Sequence, residues 1–378
     1  MRKGWEYKKL GEIAKCAIGL TYKPENVTEE LSGTIVLRSS NIQNSILDFN
    51  DIVRVNVPVK EDKIVKDGDI LMCSRNGSIR LVGKVALIKN LKERMSYGAF
   101  MTIIRSQYNP YLFEYFKTPA FRQYLIAGKT TTVNQITVKM LNNLTIPLPP
   151  KSTQLAIVSE LDKINELIRL KKEQLKDFDN LAQSLFYEMF GDPVENEKGW
   201  EVKKIRDIAK YYNGVAHEQD VDKDGDFVLI NAKFISSEGQ IKKYTSIQRF
   251  PLLKNDIVMV LSDLPNGKSL AKCFLIDEDN KYTLNQRICC FRGFEGSSVY
   301  LKNIINRNPY LLSFDNGKGQ TNLRKGDVEK IPIPLPPLPL QQLFAQRIEQ
   351  IEREKSEIQK SIQDLETLLA SRMQYWFE

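Results

Sequence analysis

The sequence predicts an α+β protein: two similar β-rich domains separated by two long antiparallel coiled-coil helices, in a pseudo-twofold arrangement. Three observations carry that expectation. A twelve-residue phrase, GWEYKKLGEIAK at Gly4, returns as GWEVKKIRDIAK at Gly199. Each half ends in a charged segment whose apolar residues recur on alternating steps of four and three. Between these landmarks lie short runs rich in β-branched and aromatic residues. A repeat period near 190 residues far exceeds the roughly 20 to 50 of solenoids, so it marks two whole domains of one kind.

Within the domains, GTIVLRSSNIQ (33–43), DFVLINAKFIS (226–236), FMTIIRS (100–106) and NQRICCFR (285–292) read as strands. DGDILMCSRNGSIRLVGKVALI (67–88) faces KNDIVMVLSDLPNGKSLAKCFLI (254–276). In each, an acidic turn feeds an apolar run, a polar Asn-Gly turn follows, and a second apolar run closes a hairpin. NPYLFEYFKTPAFRQYLI (109–126) reads as a helical stretch packed on an antiparallel sheet. TIPLPP at 145–150 then faces PIPLPP at 332–337, at an offset of 187.

Both Pro-rich runs lead into helices, since proline stops one element and aims the next. The first apolar series is Ile157, Leu161, Ile164, Ile168, Leu175, Phe178, Ala182, Leu185 and Met189, with Lys171 intruding. The second is Phe344, Ile348, Ile351, Ile358, Ile362, Leu365, Leu369 and Trp376, with Lys355 and Arg372 intruding. The two series coincide at the same offset of 187. A 3.5-residue repeat sustained this long specifies a narrow seam that another helix must cover. The simplest cover is the other copy, antiparallel, each helix being ~35 residues and ~50 Å long. The first helix is expected to stop near Gly191-Asp192-Pro193. The segments are then 1–152 and 191–340 for the domains and 153–190 and 341–378 for the helices.

Composition sets the chemical class. The chain is 42% apolar and 27% charged, as in ordinary globular proteins. MRKGWEYKKL has no apolar leader, and no run of 18 apolar residues exists; a cytoplasmic protein is expected. Five cysteines without C-x-x-C spacing and one histidine supply no zinc set, so reduced core thiols are expected. Residues 1–152 carry 23 basic against 13 acidic side chains, a net +10, while the other three segments net −2, +2 and −2. This asymmetry suits a polyanionic partner.

Catalytic signatures are missing: no phosphate loop, dinucleotide fingerprint, H-E-x-x-H or nucleophile elbow occurs. His217, among carboxylates, is expected in a surface loop. DVDKDGD (220–226) has some likeness to a calcium loop but lacks the closing Glu. Asn109-Pro110-Tyr111 and Asn308-Pro309-Tyr310 each lack one proline of the N-P-P-Y signature of amino-methyltransferases. Asn as N-cap with Pro at the first helical position accounts for both.

Duplicated basic domains suit a reader of two separated half-sites on double-stranded DNA, in which Lys and Arg meet phosphates and loop side chains meet base edges. The first-half candidates are Arg38, Ser40 and Asn41; Ser74, Arg75, Asn76, Ser78, Arg80 and Lys84; and Lys129, Thr131 and Asn134. Their second-half counterparts are Asn231 and Lys233; Ser262, Asn266 and Lys268; Gln286 and Arg287; and Lys318, Gln320, Asn322, Arg324 and Lys325. The tips SRNGSIR and SDLPNGKSL differ most between the halves, as two domains with different targets require.

This order of motifs resembles the specificity subunit of type I restriction-modification systems. The resemblance covers nearly the whole chain and rests on the two GW phrases, the DGDILM and NDIVMV runs, and IPLPPKSTQLAIVSEL matched by IPLPPLPLQQLFAQRI. It implies two target-recognition domains, each reading half of a bipartite DNA site, with the coiled coil fixing the gap; a rod of ~50 Å puts that gap at roughly one to one and a half helical turns. It also implies a subunit with no activity and no cofactor of its own. Adenine methylation with S-adenosylmethionine would belong to two modification subunits, and ATP-driven cleavage to restriction subunits. Glu166, Lys172 and Lys176 would then offer a docking face for the modification subunits. Two other readings stay open, a stand-alone DNA methyltransferase and a coiled-coil scaffold protein.

Overall fold

A computed structural model describes residue 2 and residues 4–127, 134–217, 219–264, 267–315 and 317–378. The chain divides into two compact units, Met1–Lys172 with Lys360–Glu378, and Glu173–Gln359.

In the first unit a four-stranded antiparallel sheet has the order Lys15–Ile18, Met101–Arg105, Ile70–Cys73, Val85–Leu87. Ile70–Cys73 is a central strand buried on both faces, hence apolar at every position. A second sheet has the order Met95–Tyr97, Thr34–Leu37, Arg54–Val55, Val27–Thr28. Met95–Tyr97 runs parallel to Thr34–Leu37, so the architecture is mixed and not antiparallel throughout. The expected helical stretch is two helices, Asn109–Phe116 and Pro119–Ala127. Pro119 cannot donate an amide hydrogen and disfavours helical backbone at Thr118, so the chain restarts there. Thr118 bridges the break, its hydroxyl donating to the Tyr115 carbonyl at 2.7 Å and accepting from the Phe121 amide at 3.2 Å.

The second unit repeats the first sheet strand for strand: Lys210–Asn213, Ile288–Arg292, Ile257–Val260, Cys273–Leu275. Phe227–Ile230 again has a parallel neighbour, Tyr282–Leu284. The stretch read as one strand at 226–236 turns into a helix, Ala232–Ser236. Asn231 sets that turn, its side chain accepting from the Phe234 amide at 3.0 Å. In the first unit Asn41 ends the matching 3-10 turn Ser39–Asn41, accepting from the Arg38 amide at 2.8 Å.

The repeated motifs make the same bonds in both units. Glu6–Lys9 pairs with Thr145–Leu148, and Glu201–Lys204 with Pro332–Leu335, so each GW phrase closes on its Pro-rich run. Tyr111 donates its hydroxyl to the Pro147 carbonyl, and Tyr300 donates to Pro334 at 2.7 Å. Asp69 is buried and gripped at both oxygens by Arg105, as Asp256 is by Arg292. These acids are the ones in DGDILM and NDIVMV.

The long helices are Lys151–Phe190 and Leu338–Phe377, 40 residues each, or ~60 Å at 1.5 Å per residue. Gln154 and Gln341 anchor their starts, donating to the Pro149 and Pro336 carbonyls at 2.7 and 2.8 Å. The first helix stops where expected. Gly191 adopts φ +74° and donates to the Tyr187 carbonyl at 2.8 Å, a left-handed cap that suits glycine.

Antiparallel pairing is visible inside each unit. In the first, Arg372 and Trp376 both donate to Glu160, and Lys172 meets Glu366 at 2.8 Å, so rising numbers on one helix meet falling numbers on the other. Ile157 and Leu161 share a core with Phe377, and Leu369, Met373 and Trp376 pack against it. In the second, Lys355 meets Asp179 at 2.9 Å, while Phe186 and Phe190 pack their rings on Phe344. Ile164, Ile168, Leu185, Met189, Ile348, Ile351, Ile358 and Ile362 are buried, and Leu175, Phe178, Ala182, Leu365, Leu369 and Trp376 are half-buried. Phe186, Phe190 and Phe377, off the narrow seam, are buried as well, because near its domain each helix must cover a wider apolar face.

Two expectations are corrected. His217 is fully buried, with ring nitrogens 2.7 Å from the Val215 carbonyl oxygen and 3.0 Å from Thr283 Oγ1. Lys172, expected on a face outside the helix pairing, meets Glu366 across it at 2.8 Å with both side chains exposed, while Glu166 is paired with Arg169 at 2.6 Å. The cysteines are free thiols, four buried and Cys16 half-buried. Among the described residues no helix is long and apolar enough to cross a membrane, and no cluster could hold a metal ion.

Candidate nucleic-acid interface

In the first unit the chain makes an eleven-residue excursion, 74–84, between the strands Ile70–Cys73 and Val85–Leu87. The segment preceding the helix Val138–Asn143 ties it down. Ile136 donates its amide to the Ser74 carbonyl at 2.7 Å, Arg75 forms a β-bridge with Gln135, and Asn134 donates its side chain to Gly77 at 3.1 Å. Asn76 donates to Ser39 Oγ at 3.1 Å. Segments 38–41, 74–84 and 134–136 therefore form one surface.

Arg75, Ser78 and Arg80 are exposed on it, and Asn76, Lys84 and Asn134 are half-buried. Arg38 is half-buried and paired with Asp51 at 2.7 Å. Asn41 and Ser74 are 1% and 5% exposed. Asn41 holds the Asp48 and Asp51 carbonyls, and Ser74 bonds Thr102, so these two buried side chains are engaged in internal bonds that shape the surface. The Ser40 hydroxyl is buried without a partner. Lys129 and Thr131 lie outside the described residues.

In the second unit the equivalent pairing is a short sheet, Ser262–Asp263 with Thr321–Asn322. The pair Ser262 and Asn322 repeats the Arg75 and Gln135 bridge at the offset of 187. Gln320 donates to Ser262 Oγ at 2.6 Å. Asp263 folds the tip by accepting the Leu264 and Ser269 amides at 2.8 and 2.6 Å. Lys233, Lys268, Gln286, Arg287, Lys318, Gln320, Asn322, Arg324 and Lys325 are exposed. Lys325 lies over the Tyr211 ring and pairs with Glu329 at 3.6 Å. Asn231 is used as a helix cap, and Asn266 lies outside the described residues.

Two residues outside the expected set brace the tips. Arg122 donates to the carbonyls of Arg80, at 3.1 Å, and Val82. Arg307 donates to the Lys268 carbonyl at 2.6 Å. Both bond backbone from a distant segment, which leaves no trace in a sequence pattern. Beneath the first tip, burial pushes the Cys73 thiol up to about 11, so at pH 7 it is neutral and not an activated nucleophile. The surfaces thus present guanidinium, ammonium and amide groups on braced loops. Guanidinium and amide groups bond base edges bidentately, and all of these groups bond phosphate oxygens.

One frame presented twice, with different side chains at equivalent loop tips, defines a two-site recognition protein. The chain belongs to the type I restriction modification DNA specificity domain family, whose model matches residues 2–177 and 197–367. The type I restriction enzyme StySPI specificity subunit of Salmonella potsdam is 24% identical over 406 residues, covering 98% of this chain and 87% of that protein. A chain from a structural study of complex assembly and conformational transition in the type I restriction-modification system superposes with a TM-score of 0.61. It is 17% identical, with 100% of this chain and 98% of that chain covered. The type I restriction-modification S subunit of M. genitalium superposes with a TM-score of 0.56 at 14% identity, covering 99% and 96%. At these identities the structures share a fold.

Proposed function

We propose that this chain is the DNA-recognition subunit of a type I restriction-modification complex, reading a bipartite target with one loop surface per unit. The observation that carries this reading is the pair of surfaces itself. Arg75 with Gln135 and Ser262 with Asn322 occupy the same register in the same frame, yet differ in chemistry, as two half-sites of unlike sequence require. Family membership and the basic balance of the first half support it. The partners are double-stranded DNA, two modification subunits and the restriction subunits. The chain itself transfers no methyl group and cleaves nothing; S-adenosylmethionine and ATP are used by the partner subunits. Such a protein works in the cytoplasm.

Methylation mapping of host DNA in the presence and absence of the gene tests this directly. The expected result is loss of one adenine-methylated motif made of two short halves with a gap of fixed length. An unchanged methylome would refute it. Labelled S-adenosylmethionine, DNA and the purified chain should give no transfer without partner subunits; transfer by the chain alone would make it a methyltransferase.

A further inference from the structure

The two units share a three-residue turn beside the tip. It leads from Met95–Tyr97 into Met101–Arg105 in the first unit, and from Tyr282–Leu284 into Ile288–Arg292 in the second. The turns are the same in detail. Met101 donates to Gly98 at 2.8 Å as Ile288 does to Asn285 at 3.1 Å, and Gly19 donates to Met101 as Gly214 does to Ile288. The carbonyl of Phe100 accepts the Ser74 amide at 2.9 Å, and the carbonyl of Arg287 accepts the Leu261 amide at 3.1 Å. Ser74 and Leu261 are themselves equivalent at the offset of 187. Position 100 in one unit is therefore position 287 in the other, on backbone fixed by the same bonds.

The side chains on this common turn are opposite in kind: Gly98-Ala99-Phe100 against Asn285-Gln286-Arg287. Phe100 is 59% exposed, although it is a large apolar residue. The Arg75 guanidinium lies over its ring, 5.3 Å from the centroid, so the ring stands within the cationic surface. Ring and guanidinium together present an apolar face and a cation side by side.

We propose that positions 100 and 287 are equivalent base-reading positions of opposite chemistry. Phe100 contacts the C5-methyl group of a thymine in one half-site, and Arg287 bonds the O6 and N7 acceptors of a guanine in the other. Both contacts follow from the major-groove pattern: thymine is the base that offers a methyl group there, and guanine the one that offers two adjacent acceptors. The assignment rests on the DNA-reading function proposed above.

The test is selection from a randomised duplex pool with the purified full-length chain and its Phe100→Ala, Phe100→Arg and Arg287→Ala variants. The wild type is expected to enrich two half-sites, one with an invariant thymine and one with an invariant guanine. Phe100→Ala loses only the thymine preference, Phe100→Arg changes it to guanine, and Arg287→Ala loses only the guanine. Replacing that thymine by uracil, which removes the methyl group alone, should weaken wild-type binding about 4-fold and leave Phe100→Ala unaffected. Enrichment of an identical first half-site by wild type, Phe100→Ala and Phe100→Arg would overturn the inference while leaving DNA reading intact. A wild-type pool with no enriched sequence would overturn DNA reading, and this assignment with it.

Discussion

At the scale of single residues, the most heavily committed groups are those that hold the frame. Asp69 and Asp256 have side chains 1% and 2% exposed, each held by a bidentate arginine that is itself about a third exposed. Deleting the arginine strands a buried carboxylate, so Arg105→Met and Arg292→Met should each cost about 2 to 3 kcal/mol, below the usual cost for a fully buried pair because water reaches the vacated side. The two residues share no bonding partner, and the double variant should show additive losses in urea denaturation. On the loop surfaces polarity alone was readable: Arg75, Asn41 and Ser74 all look like tip residues, yet Arg75 is exposed while Asn41 and Ser74 are spent on internal bonds. Arg75→Ala should therefore weaken DNA binding with thermal stability nearly unchanged. Asn41→Ala should lower stability by about 1 kcal/mol, because the half-buried side-chain hydrogen bonds to the Asp48 and Asp51 carbonyls are lost.

At the scale of elements, the helix pairs are the test case. Ile164 is 6% exposed and Ile351 7% exposed in the seam, so a charge at either has no water and no partner there. Ile164→Asp and Ile351→Asp should each lower stability by more than about 3 kcal/mol, read as a fall in melting temperature. The pairing also has a pH signature. A hydrogen bond from Arg372 holds the Glu160 carboxyl below the usual carboxylate range against the opposing effect of burial, with Trp376 adding a second hydrogen bond. A depressed folded-state value contributes stability above the unfolded carboxylate value, near 4.3, and loses it as pH falls through the folded value. Arg372→Met should thus melt modestly below wild type at pH 7, since solvent screens the pair. The two melting curves should converge as pH falls through the depressed folded value.

At the scale of the whole molecule, the prediction concerns DNA. Affinity should fall linearly with salt on logarithmic axes, and Arg80→Ala should reduce that slope by about 0.9 if Arg80 meets one phosphate. Inserting about five base pairs, half a helical turn, between the two halves of the target should abolish tight binding, because a fixed gap also fixes the rotational phase of the half-sites. Binding that tolerates the insertion would count against a measured spacer.

Taken alone, the sequence determined what is periodic or repeated: two domains of one kind, the seam from Ile157 to Met189 and from Phe344 to Trp376, and from their order the family. Heptad spacing and duplication are properties of neighbouring residues along the chain, and helix geometry converts them directly into a buried stripe. Tertiary structure decided what depends on residues far apart: the parallel neighbours of Thr34–Leu37 and Phe227–Ile230, the burial of His217 against Thr283, and the arginines bracing each tip. Burial is a sum over the surroundings of a residue. Only the folded chain brings Phe100 and Arg75 together on one surface.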